Sequence, residues 1–329
     1  MSLHTALRSV LTLNLSRIQL NIKRQISYAE ISRRRSELFS AEKQAQKEKI
    51  GRIERIEVRY LGLPQDTTLM MNRGLSTPYN CAQHISEFHC KRSALALIDG
   101  NIPWDMHRPL PDSCTLQLLT FTSPDPHHVN RAFWRTCSFL LGAVLSSTFK
   151  DEAHLQLHSF PSPNYRSGSF IYDVSLAQAD WCPTLQELKT LSAEMVKLAA
   201  RNLPIERLEV SHELAREMFR ENPFKSQQIP NIAQKNDGQV VIYRVGEHVD
   251  ISRGPMVTST RHLGRCSITS AHPVGRLDDS LPLYRFQGVA LPPDFIINHI
   301  AYGILENRAK KLNPARLPTE EEQIQAKLA

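Results

Sequence analysis

The stretch VDISRGPMV, residues 249–257, sets Asp250, Ser252 and Arg253 around Gly254 and Pro255, a dipeptide that marks a turn. Just before it, QVVIYRV (239–245) reads as a strand followed by a turn at Gly246, and residues 265–271 read as a further strand. Moving outward, Ser211 is placed to cap a helix that Asn222 and Pro223 close, and Thr184 with Glu187 makes a capping box for a helix to about Ala200. GSFIYDVSL (168–176) reads as a strand. Asp125 followed by Pro126 starts a long helix whose apolar residues keep helical spacing to about Phe149. Helices and strands are mixed without the regular alternation of a doubly wound fold, so the class is α+β.

The flanks read differently. From Ile53 to Thr122 come the runs IERIEVRYL, a helix from Thr77 to His89, then SALALID, Gly100 and CTLQLLTF, which together predict a small α+β sheet crossed by one helix. Residues 29–49 carry both signs of charge and no Gly or Pro, and predict an exposed helix with Leu38 and Phe39 as its few sticky positions, an arm rather than a core element. From Pro293 there is room for one helix and a charged tail. A length of 329 residues fits two compact units or three small ones. The expected organisation is 1–27 presequence, 28–52 charged arm, 53–123 first domain, 124–292 second domain and 293–329 C-terminal helix and tail.

Hydrophobic residues make up 41% and charged residues 22%, which is globular usage and excludes a wholly disordered chain or a disulfide scaffold. The longest apolar stretches, Ala94 to Ile98 and Phe139 to Leu145, are too short to span a membrane. The net charge of +7 is uneven. Residues 1–27 hold four basic side chains and no acid, residues 28–55 hold eight basic and five acidic, and residues 56–329 hold 28 of each sign. A protein that grips nucleic acid through its folded domains concentrates positive charge there, whereas this chain puts it at the amino terminus. The acid-free first 27 residues, with apolar residues spaced for one helical face, have the pattern of a mitochondrial presequence; a disordered basic tail is the alternative. The six cysteines form no Cys-x-x-Cys pair and read as reduced packing thiols.

Common nucleotide, metalloprotease and hydrolase signatures are absent, and no cofactor is expected. His154 and His158 are the best local histidine pair. On a strand both face the polar side, but no carboxylate or cysteine nearby completes a ligand set, so a surface pair is expected and no metal site.

The order of segments carries a resemblance. Ile53 to Phe121, with ALALIDG and PLPDSCTLQLL, resembles the ubiquitin-like β-grasp domain known as TGS. The helix at 130–148, GSFIYDV at 168–174, the helix pair at 184–219 and above all VDISRGPMV resemble the editing domain of threonyl-tRNA synthetases, and LYRFQGVALP (283–292) is similar to the passage into the catalytic domain of those enzymes. That editing site uses two histidines one helical turn apart, with a Cys and a His around the Arg-Gly-Pro turn. The corresponding positions here are Arg135, Phe139, Ser252 and Met256, and residues 130–149 contain no His at all. The proton-handling chemistry is gone from all four. Only 37 residues follow Pro292, too few for an ATP-binding catalytic domain.

TPYNCAQHISEFHCKRSALALIDG, PWDMHRPL and FWRTCSFLLG are similar to the threonyl-tRNA-synthetase-like family of the mitochondrial large ribosomal subunit, the thirty-ninth in its series. The resemblance implies a non-catalytic structural component in the mitochondrial matrix, with large-subunit proteins and ribosomal RNA as partners and no small-molecule substrate. Arg33, Arg34, Arg35, Lys43 and Lys47 are the candidates for phosphate contact. The competing reading is a solvated helix face balanced by Glu30, Glu37, Glu42 and Glu48. Two rivals stay open: a trans-acting deacylase using Ser252 and Asp250, which lacks an evident base, and a tRNA-binding module that cleaves nothing.

Overall fold

The computed structural model describes residues 27–178, 181–277 and 281–315. The presequence expectation for 1–27 falls, except for Ser27, outside the described residues, as does the expected tail beyond 315. The class is α+β.

The first folded unit is a five-stranded mixed sheet. Strands β1 (Arg55–Tyr60), β2 (Thr67–Asn72), β3 (Leu95–Ile98), β4 (Ile102–Trp104) and β5 (Cys114–Leu119) run in the order β2-β1-β5-β3-β4, with β1 and β5 parallel at the centre. The alternation in β1 buries Ile56, Val58 and Tyr60 beneath two helices. The single helix expected from Thr77 to His89 is in fact two, α2 (Pro78–Ile85) and α3 (Glu87–Arg92). Ser86 between them is extended, and its hydroxyl accepts from the His89 N–H, so a cap interrupts what periodicity alone reads as continuous.

The second unit contains a four-stranded antiparallel sheet, β11-β12-β7-β6, made of β6 (Gln156–Ser159), β7 (Phe170–Ser175), β11 (Cys266–Leu277) and β12 (Leu281–Ala290). Helices α4 (His127–Thr148) and α5 (Leu185–Ala200) cover it, α5 opening on the capping box of Thr184 and Glu187. Gly142 in α4 permits close approach to this sheet: a Cβ there would stand 2.6 Å from the Tyr172 ring. A three-stranded antiparallel sheet, β10-β9-β8, of β8 (Glu206–Ser211), β9 (Gln239–Val245) and β10 (His248–Ile251), packs with α6 (His212–Met218) and α7 (Pro223–Gln234). Helix α8 (His299–Ala309) lies on β11 and β12. Asn222 and Pro223, read from sequence as closing one helix, also open the next: the Asn222 side chain accepts from the Lys225 N–H, and Pro223 takes the first turn, where no amide donor is needed.

The two units share one core. Ala94, Leu95 and Phe121 of the first pack in the same cluster as Phe133, Leu140, Met256 and Val257 of the second. The Thr258 N–H donates to the Ala94 carbonyl at 3.0 Å.

The expectation of an exposed arm outside the core is corrected by the structure. Residues 28–48 form helix α1 (Tyr28–Glu48), which packs on the three-stranded sheet and α6. Ser32, Arg35 and Phe39, spaced three and four apart, form one narrow buried stripe. Phe39 is fully buried with Leu208, Phe219 and Ile242, and Arg244 lies 4.4 Å over its ring. The low overall hydropathy of the helix concealed this, because one aromatic and charges matched to the body are enough to dock it.

The histidine expectation also changes. His154 sits before β6 in a left-handed conformation at φ 46°, so it does not share a strand face with His158. His158 is buried against Phe224, with Nδ1 2.7 Å from the Ser159 hydroxyl.

Candidate functional site

The residues of 249–257 are held from three sides. The Ser252 N–H donates to the Val241 carbonyl, the Met256 N–H to Asp105 at 2.8 Å, and the Val257 N–H to the Thr136 hydroxyl on α4 at 3.0 Å. Arg135, one turn before Phe139 on α4, donates through Nη1 to the Pro255 carbonyl at 3.0 Å. Gly254 has φ +67°, and a Cβ there would fall 1.8 Å from the Tyr243 hydroxyl, so the turn admits only glycine. Tyr243 in turn donates to Asp105, which Arg207 approaches to 3.7 Å.

Beneath the turn lies a buried ionic network that sequence reading did not find. Lys225 of α7 pairs with Asp250 at 2.7 Å, both side chains almost wholly enclosed. Tyr172 of β7 accepts from Lys225 at 3.1 Å and donates to the other Asp250 oxygen at 2.5 Å, while the Ile251 N–H donates to the first. Burial pushes the Asp250 carboxyl up, but Lys225, His248 and Tyr172 together outweigh it and hold the group below the usual carboxylate range. Asp250 was visible in the motif. Lys225 would have been visible only if Asn222-Pro223 had been taken as a helix start.

Of the four positions aligned with the editing site, Arg135 and Ser252 line a cleft of about 370 Å³, together with Lys225, Lys235 and Arg253. Phe139 and Met256 do not line it; both are buried in the main core, Phe139 against His248 and Tyr243. The Ser252 hydroxyl is 3.4 Å from the Gly254 N–H, and among the described residues it has no base beside it. Among the described residues no histidine, cysteine or carboxylate lines the cleft. The ionisable groups that line it, among the described residues, are Arg135, Lys225, Lys235 and Arg253, all of them basic. Among the described residues no three His, Cys, Asp or Glu side chains gather as a metal site, and no helix is long and apolar enough to cross a membrane.

The five basic candidates for phosphate contact separate. Arg35 is buried, with Nε donating to the Met218 carbonyl and its guanidinium 4.8 Å from the Phe219 ring. Arg34 pairs with Glu221 and Lys43 with Glu206, each at 2.6 Å. Arg33 and Lys47 are exposed, Arg33 at 3.9 Å from Glu37.

The large ribosomal subunit protein mL39 of Drosophila melanogaster is 60% identical to this chain over 298 residues, which span 90% of each protein. The chain belongs to the mL39 family. A threonine–tRNA ligase from Thermotoga maritima is 33% identical over 214 residues, and the mitochondrial threonine–tRNA ligase of Rattus norvegicus is 30% identical over 220. These matches cover 64% and 66% of this mL39-family chain but only 31% and 28% of the ligases, so the likeness spans less than a third of those enzymes. No protein-family model matches the chain.

Proposed function

We propose that the chain is a non-catalytic structural component of the mitochondrial large ribosomal subunit, working in the matrix among other subunit proteins and ribosomal RNA. The observation that carries this is the mL39 likeness along nine-tenths of both chains. The cleft supports its non-catalytic half. Arg135, Phe139, Ser252 and Met256 provide no proton acceptor, and Asp250, the carboxylate of the deacylase reading, is held by Lys225 and Tyr172.

In this reading residues 53–123 are a TGS-like β-grasp domain, residues 124–292 an editing-like domain retained for its shape, residues 293–329 a C-terminal helix and tail, and residues 1–27 the presequence. Of the basic residues on α1, Arg33 and Lys47 are the ones left for ribosomal RNA. Arg34, Arg35 and Lys43 are spent on holding the helix to the body.

Sedimentation of mitochondrial lysate tests the assignment. The protein is expected to migrate stoichiometrically with the large subunit after a high-salt wash, and recovery only in the soluble fractions overturns the reading. The catalytic rival is tested by incubating the full chain with mischarged seryl-tRNA. No turnover is expected, and turnover abolished by Ser252→Ala would restore the deacylase.

A further inference from the structure

Helix α8 is apolar on two opposite faces, and the fold uses one of them. Tyr302 and Ala309 are buried in a cluster with Val289, and Leu305 packs beside them. Ile300 and Ile304 stand two residues either side of Tyr302, about 200° around the helix, and are 67% and 65% exposed. Just ahead of the helix, Phe295 and Ile296 are 46% and 93% exposed. A helix that is apolar all round is ordinarily buried all round, and large aliphatic side chains gathered in water mark an interaction site.

Gly303 is a second, independent sign. It lies on the same face, three residues after Ile300, inside a helix where glycine is costly relative to alanine. Among the described residues nothing stands within 4 Å of where its Cβ would be, so the fold itself does not require glycine there, in contrast to Gly142 and Gly254. A glycine between two outward isoleucines leaves a notch through which another helix can approach closely.

We propose that this face of α8 docks a helix of another large-subunit protein, one with its own aliphatic stripe and with acidic residues toward the C-terminal end of α8. The charge distribution selects that occupant. No Lys or Arg occurs from residue 293 to 307, so the stripe has nothing with which to neutralise RNA phosphates. Cations begin where it ends. Arg308 donates to the Arg166 carbonyl, Lys310 donates to the Asn307 side chain and Lys311 is exposed, and among the described residues none of the three makes an ion pair. A second copy of this chain would bring little to meet them, since Asp294 lies 3.5 Å from Arg92 and Glu306 accepts from the Ser267 hydroxyl. Such docking rests on the ribosomal assignment and gives it a contact surface.

Full-length variants expressed in mitochondria, with the large subunits then resolved on a gradient, test this. The double variant Ile300→Glu, Ile304→Glu changes exposed side chains alone, so the purified chain is expected to keep its thermal midpoint, while its share of the large subunit falls about tenfold or more against the wild type. Leu185→Glu, at a position 76% exposed on α5, is expected to assemble like the wild type. Gly303→Leu separates folding from docking: leucine favours the helix and meets open space, so the midpoint is expected to hold or rise while incorporation falls. A photo-crosslinker placed at Ile304 is expected, in intact subunits, to join the chain to a different protein. Crosslinks to RNA or to a second copy, or incorporation of the double variant equal to that of the wild type, overturn the proposal. Failure of the wild type itself to sediment with the subunit overturns the ribosomal assignment, and this docking with it.

Discussion

Lys225→Met is expected to cost roughly 3–5 kcal/mol of unfolding free energy, read as a lowered urea midpoint, because it leaves a buried carboxylate without its counter-charge. Asp250 is fully enclosed, and after the substitution the Tyr172 hydroxyl and the Ile251 N–H are its remaining hydrogen-bond donors among the described residues, with His248 and Arg35 acting on it only at longer range. The paired variant Lys225→Met with Asp250→Asn is expected to recover most of that loss, since it removes the stranded charge along with its partner. A loss below about 1 kcal/mol in the single variant would show that the pair is not desolvated as the geometry requires. The linkage has a definite sign. Asp250 lies below its ordinary value in the folded state, so its contribution is present above about pH 4 and is lost as pH falls through the lowered value.

Acid weakens the protein well before that carboxylate titrates. His158, His248 and His262 are pushed down to about 4, in each case first by burial. Nε2 of both His248 and His262 is buried with no hydrogen-bond partner among the described residues, so a proton added there gains no acceptor. The unfolded chain takes up these three protons near the ordinary histidine value of about 6.5 while the folded chain refuses them, so stability is full above that value and falls toward about pH 4. Asp105 and Asp173, raised by burial, take up protons in the folded state and offset part of the loss. The net expectation is a loss of about 3–5 kcal/mol between about pH 7 and about pH 5, measured by urea unfolding at each pH. His262→Phe keeps an aromatic ring beside Phe121 and is expected to shrink the dependence by about a third. A flat profile across that range would refute the buried, neutral state of these rings.

Local signals were legible in the sequence. The capping box at Thr184 and Glu187, the Ser211 cap and the Asp125-Pro126 start are each decided by residues within one turn, and the structure has those helices. The VDISRGPMV turn was readable for the same reason, since Gly254 answers a backbone demand that only glycine meets. Pairings between distant segments were not readable. Lys225 reaches Asp250 from a helix hidden behind Asn222-Pro223, and α1 docks through Arg34 to Glu221 and Lys43 to Glu206, more than 150 residues away. Charge counts along α1 cannot tell a solvated arginine or lysine from one that a remote glutamate has claimed.

The burial of Phe39 sets an order of events. The helix that carries it is the first described element to leave the site of synthesis, yet its pocket is built by Leu208, Val210, Ile242 and Val249, which come about 170 to 210 residues later. Until those strands exist, the earliest helix has nowhere to dock, so any nascent or truncated chain that stops before residue 249 presents an uncovered aromatic to whatever chaperone surveys it. Docking of the first described helix thereby waits on strands made about 170 to 210 residues after Phe39.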